Sequence, residues 1–202
     1  MAWLESLFQR LTKQELFRVR GITVVVANPK QLVPTAAAVE RLDEALALIE
    51  TYQPWRLAHL RRDLKQITVM RYACRGAYFP EHRACMVELT FLGRRDIGAE
   101  TVASTVVHEG MHARVHGFRS WVLGGGDQHL MSNTQHPTPN SRAREERLCR
   151  RAELEFGQSL PPEIAAPVVE RALASLALAD EDVAPEIDWN EAQRRIDEVD
   201  SR

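Results

Sequence analysis

Cysteine is scarce in this chain of 202 residues: Cys74, Cys85 and Cys149 are the only three, and no two form a C-x-x-C pair. An odd, scattered set gives no disulfide framework. The N-terminus, "MAWLESLFQRLTKQE", lacks the basic-then-apolar pattern of a secretion signal, so reduced thiols and a cytoplasmic location are expected. No apolar run reaches the roughly 18 residues that span a bilayer, and no transmembrane segment is expected. A basic excess is missing too: 26 Lys and Arg stand against 28 Asp and Glu, a net charge of −2. Nucleic acid is therefore not an expected partner. No internal repeat or low-complexity segment occurs.

What is present suits a soluble globular fold, with 45% hydrophobic and 27% charged residues. Trp3, Leu4, Leu7, Phe8 and Leu11 recur at helical spacing, which predicts an amphipathic helix over 2–14 that packs on the domain, a partner or a membrane surface. "ITVVVA" (22–27) reads as a buried strand. "TAAAVERLDEALALIE" aligns Val39, Leu42, Leu46 and Ile49 on one helical face, with Thr35 as its cap. Pro54 opens a short helix to about Arg62. "QITVMRYA" (66–73) and "RACMVELTFL" (83–92) alternate with period two, each a strand with one face on the core, and "RGAYFPEH" between them makes a turn or irregular hairpin.

The stretch "VASTVVHEGMHARVHG" (102–117) predicts an apolar helix that Gly117 stops. A long loop, 118–140, contains three consecutive glycines and leads into the helical "SRAREERLCRRAELEFGQSL". Two further helices, around 162–178 and 189–199, follow, the last opened by Asp188 and Glu191 at capping-box spacing. The expectation is an α+β fold: a small, mostly antiparallel sheet packed on the 102–117 helix and on a second, glutamate-bearing helix, with additional C-terminal helices. Residues 1–178 make one domain and 179–202 a helical extension.

The 102–117 helix raises a question of cost. A charge buried without a partner costs several kcal/mol, yet His108, Glu109 and His112 sit among Val102, Val106, Val107, Met111 and Val115. Side chains four apart on a helix lie above one another, so His108 and His112 can aim two imidazoles at one point. That is the spacing at which a helix offers two nitrogens to zinc, and Glu109 can reach a water on that metal as general base. Gly110 costs about 1 kcal/mol relative to Ala in a helix, which implies that another element approaches closely there. His116 is about 12 Å along the axis from His108, too far to join the same site. It reads instead as a helix-end residue or a substrate contact.

A catalytic zinc commonly has three protein ligands, and the third is expected from "REERLCRRAELEF". Glu145 shares a face with Leu148, Cys149, Ala152 and Phe156, whereas Glu146 shares one with Arg150 and Glu153. Because a ligand must look inward, Glu145 is the favoured third metal residue and Glu146 the alternative. Arg150, Arg151, Glu153 and Glu155 read as a solvated charge run.

A strand, an H-E-x-x-H helix and a second helix bearing a glutamate resemble the gluzincin zinc metallopeptidases. "EERLCRRAELEFGQSLP" resembles their compact members, the minigluzincin and ImmA/IrrE-like proteases, over roughly residues 83–161. The resemblance implies His108 and His112 as ligands, a glutamate of the 145/146 pair as third ligand, and Glu109 as base. The acid that larger gluzincins carry four residues beyond the ligand glutamate falls here on Cys149 or Arg150, so orientation of a ligand by that route is absent.

His129, His136, Arg119, Arg142 and Tyr78 are candidates for stabilising an oxyanion, but each reads first as structural or exposed. Ser104 has no nucleophile elbow and reads as a packing or capping hydroxyl. Cys149 reads as a small core residue. The strand 83–92 would offer a substrate peptide its backbone if it lay at a sheet edge. Taken together, zinc-dependent hydrolysis of a peptide or protein substrate is expected, through a metal-bound water and Glu109. A zinc-binding regulatory or interaction module without turnover is the alternative, and zinc hydrolysis of a non-peptide bond is a third option.

Overall fold

The computed structural model describes residues 14–122, 139–184 and 188–200. The expected helix over 2–14 lies outside the described residues except for Gln14, which begins a strand. That strand, β1 (Gln14–Val19), pairs antiparallel with β2 (Ile22–Ala27). Between them Arg20 and Gly21 have φ of 43° and 80°. Positive φ at both central residues is the pattern of a type I′ hairpin turn.

From β2 the chain crosses through α1 (Thr35–Tyr52) and α2 (Pro54–Asp63) into β3 (Gln66–Met70), and this helical crossover lets β2 and β3 run parallel. Leu42, Leu46 and Ile49 are fully buried along α1, as their spacing requires. Thr35 is not the cap expected of it. Pro34 holds the cap position without a side-chain bond, and the Thr35 hydroxyl instead donates to Glu15 on β1.

After β3 the chain swings out to β4 (Gly76–Phe79), turns through a 3-10 segment (Pro80–His82), and returns as β5 (Ala84–Glu88) between β3 and β4. The sheet order is β1-β2-β3-β5-β4. The expected mostly antiparallel sheet is therefore corrected to a mixed one: β2/β3 and β3/β5 are parallel, β1/β2 and β4/β5 antiparallel. The loop between the two alternating segments contains a strand of its own, so those segments do not form a hairpin with each other.

Two further expectations for this region change. β5 is buried on both faces, with Cys85 and Val87 in the main core and Ala84 and Met86 in a smaller cluster with Met70, Tyr72 and Phe79. Nor does its alternation continue to Leu92. The Glu88 carboxylate accepts the Phe91 N–H at 2.6 Å and caps a short helix, α3 (Leu89–Gly93). The edge strand beside it is β4, so the 83–92 segment has no free edge for a substrate.

The long helix α4 (Ala99–Val122) carries the His108–His112 segment across β4 and β5, and it runs through Gly117 rather than stopping there. Val102, Ala103, Val106 and Val107 seat it in the core. Gly110 answers to a close approach as expected: a Cβ there would lie 2.2 Å from Leu60 Cδ2 of α2. Residues 123–138 of the expected loop lie outside the described residues.

α5 (Pro139–Ser159) lies on α4, and α6 (Pro162–Leu176) lies on α5. Then come α7 (Asp180–Val183) and α8 (Trp189–Asp200). Arg147 on α5 bonds the Leu176 and Leu178 carbonyls and Asp180, tying the end of α6 and the start of α7 to the domain. Asp188 accepts the Glu191 N–H at 3.1 Å, the cap that its spacing implied. No helix among the described residues is long and apolar enough to cross a membrane.

Candidate metal centre

His108, Glu109 and His112 lie on α4 where it faces α5 and β4. His108 and Glu109 are buried, at 7% and 6% exposure. The Nε2 atoms of His108 and His112 approach to 3.2 Å. Both rings are held from behind. His108 Nδ1 meets Glu153 Oε1 at 2.6 Å, and His112 Nδ1 meets Glu145 Oε1 at 2.9 Å. A carboxylate only accepts, so each Nδ1 carries a proton and donates it, leaving Nε2 as the atom each ring presents forward.

Glu146 is the carboxylate that reaches those forward atoms. Its Oε2 is 3.3 Å from His108 Nε2 and its Oε1 is 3.3 Å from His112 Nε2. Of the inner markers that favoured Glu145, Cys149, Ala152 and Phe156 are buried and Leu148 is 42% exposed, and the structure brings both glutamates to the rings. Glu145 stands at the back of the His112 ring, and Glu146 bridges the front of both.

Glu153 is the largest surprise relative to sequence. Read as part of a solvated run, it is 1% exposed and accepts from four groups: His108 Nδ1, Ser104 Oγ at 2.9 Å, Arg150 Nη1 at 2.6 Å and Arg171 Nη2 at 3.2 Å. Glu153 lies seven residues beyond Glu146, two helical turns along the same face, and stands behind the His108 ring. That i, i+7 spacing was the available signal. Ser104 is neither merely packed nor a cap, since its hydroxyl belongs to the same carboxylate network.

The electrostatics follow from this crowding. Burial depresses the His108 pKa, but contacts with Glu146 and Glu153 outweigh it and leave the ring above the ordinary imidazole value. His112 is likewise pulled down by burial and raised further by Cys149, Glu145 and Glu146. Burial pushes Glu109 up, only partly countered by the two histidines. Burial also pushes on Glu153, yet His108, Arg150 and Arg171 hold it down at about 2. The acids around the two rings create a demand for positive charge between them.

A divalent cation fits that demand. The two Nε2 atoms 3.2 Å apart share a hydrogen bond when one of them is protonated, and when both are deprotonated their lone pairs converge on a point that a cation can occupy. Donor chemistry agrees: two neutral imidazoles with carboxylates behind them and a third carboxylate in front are borderline ligands suited to zinc. Cys149, fully buried, belongs to the same neighbourhood; donor atoms of His108, His112 and Cys149 all lie within 4.8 Å of one another. Burial pushes its thiol up to about 11.

Glu109 makes no hydrogen bond or ion pair among the described residues. Gly76 on β4 keeps its place open, since a Cβ there would lie 2.5 Å from Thr105 Cγ2 and 2.9 Å from Glu109 Oε1. Further along α4, Met111, Val115 and Phe118 join Arg62, Arg114 and Leu148 around an open groove of about 810 Å³. Tyr78 of β4 stacks edge-on against His116, with ring centroids 6.1 Å apart, so His116 is a mid-helix aromatic contact rather than a helix-end residue. His129 and His136 lie outside the described residues, and the side chain of Arg119 is not among those described. The chain matches no protein-family model, no curated protein and no solved structure, and the functional reading therefore stands on this geometry.

Proposed function

We propose that the protein is a zinc-dependent peptide hydrolase of gluzincin type. In this reading His108, His112 and Glu146 hold the metal, and Glu153 and Glu145 fix the two rings from behind. The observation that carries it is the paired arrangement of Nδ1 atoms on carboxylates, which turns both Nε2 atoms and Glu146 toward one point. A bound zinc supplies Lewis acidity and brings the pKa of water down to roughly 7.

The chain's own groups do the rest. Glu109, buried yet without a hydrogen-bond partner among the described residues, takes a proton from the attacking water and delivers it to the departing amine. Burial raises its pKa and so makes it a better proton acceptor. The edge strand β4, beside α4, offers backbone groups to an extended peptide, which supports a peptide rather than a compact small molecule as substrate.

One observation favours a second reading. The nearness of Cys149 to both rings gives a fourth donor, and a site with four protein ligands is structural rather than catalytic. Glu109→Gln separates the two. In a hydrolase it retains one zinc per chain and loses peptide cleavage by about 10²-fold or more; unchanged cleavage refutes the base. Cobalt-loaded protein gives the second readout: an intense near-ultraviolet thiolate band that vanishes in Cys149→Ser establishes the closed, non-catalytic site.

A further inference from the structure

Beside His108 and Glu109 lies a cavity of about 280 Å³ whose charged lining is Arg75, Arg150, Arg171, Glu109 and Glu153. With His108 neutral as a metal ligand, three guanidiniums against two carboxylates leave one net positive charge. Much of the donor capacity is unused. Arg171 spends a single nitrogen, Nη2, on both Ser104 and Glu153, while Arg150 spends Nη1 on Glu153 and keeps a buried Nε without a partner. Arg75 lies over the Phe91 ring at 5.6 Å and makes no ion pair among the described residues. Glu153 cannot satisfy these groups further, because it already accepts from four.

From this arrangement we infer that the cavity is a carboxylate-binding subsite that selects the substrate. It receives an acidic side chain, or the free C-terminal carboxylate, of the peptide whose bond is cut beside Glu109; the inference rests on the hydrolase reading for that reaction. A planar carboxylate matches the fork of a guanidinium. A single net positive charge is neutralised by a monoanion, whereas a doubly charged phosphate would leave a surplus. The volume falls just under the roughly 300–1,000 Å³ of small-molecule pockets, which suits one side chain or terminus. The two sources differ in consequence: an acidic side chain makes an endopeptidase with Asp/Glu preference, and a terminal carboxylate makes a carboxypeptidase.

The test uses the zinc-loaded full chain and a random peptide library in two forms, with free and amidated C-termini, read by mass spectrometry. Enrichment of Asp and Glu at one subsite in both forms identifies the side chain. Cleavage confined to the last residue of the free acids identifies the terminus. Either preference is expected at about tenfold or more, and Arg75→Ala, on the cavity rim, collapses the ratio toward one. Cleavage without either preference overturns the subsite and leaves the hydrolase standing. Absence of any cleavage overturns the hydrolase reading, and calorimetry of the zinc-loaded protein then decides the subsite with free-acid and amidated peptides that contain or lack Asp and Glu: tighter binding that follows the acidic side chain or the free terminus retains it, and equal binding of all four overturns it as well.

Discussion

Replacing Glu153 by Gln tests the positioning argument at its centre. The carboxylate is buried and accepts from His108, Ser104, Arg150 and Arg171. Gln keeps its volume but halves its acceptors and adds a donor, so one of those four groups must face an N–H. The charge between Arg150 and Arg171 is also lost. Removing one partner of a fully buried ion pair costs about 3–5 kcal/mol. Here the two guanidinium side chains are 28% and 30% exposed and can turn to water, which brings the expected loss of stability to about 1–3 kcal/mol. The effect on zinc is separate. Losing the group that orients a ligand histidine weakens metal binding about 10–100-fold, or about 1.4–2.7 kcal/mol. Chelator competition measures the affinity and urea unfolding measures the stability. Glu155→Gln, two residues on, is the control: that side chain is 64% exposed and pairs with Arg56, so its removal should cost under about 1 kcal/mol and leave zinc binding alone. Equal zinc affinity in folded Glu153→Gln and wild type would refute the claim that this carboxylate sets the His108 ring.

Three other outcomes are expected. Dialysed Glu146→Ala should contain no stoichiometric zinc, whereas Glu145→Ala should keep it with an affinity reduced about 10–100-fold; the reverse pattern in metal analysis would return the ligand role to Glu145. Gly76→Ala presses a methyl on Thr105 and Glu109, so peptide cleavage should fall with zinc content unchanged, and full activity would show that Glu109 is not held by this contact. Gly110→Val should lose about 1–3 kcal/mol by urea unfolding through collision with Leu60, and Leu60→Ala in the same chain should recover part of it.

Local rules placed most helices and the His108/Glu109/His112 cluster within the sequence's reach. Residues four apart on one helix share a face whatever the rest of the chain does, and valines around two histidines mark a buried polar group in need of a partner. The same period-of-helix reasoning put a glutamate from α5 opposite them. What it could not supply was the rotation of α5 about its axis. Leu148, the apparent inner residue, faces the open groove, and Glu153, the apparent surface residue, lies under His108, because two arginines converge there to compensate its charge.

The sheet divides in the same way. Period two was legible in 66–70 and 84–88, but whether neighbouring strands run parallel depends on the path between them, and β4 fills that path. Glu88 likewise ends β5 by capping the next turn, a choice made by one side chain against the pattern around it. Sequence by itself indicated most of the helical segments and which two imidazoles share a face, and it pointed to an acid on a later helix as their partner. Tertiary structure alone decided which acid stands in front of the rings and which behind, since that depends on how two helices are turned against each other. Helix rotation is set by packing over the whole interface, to which no short stretch of residues holds the key.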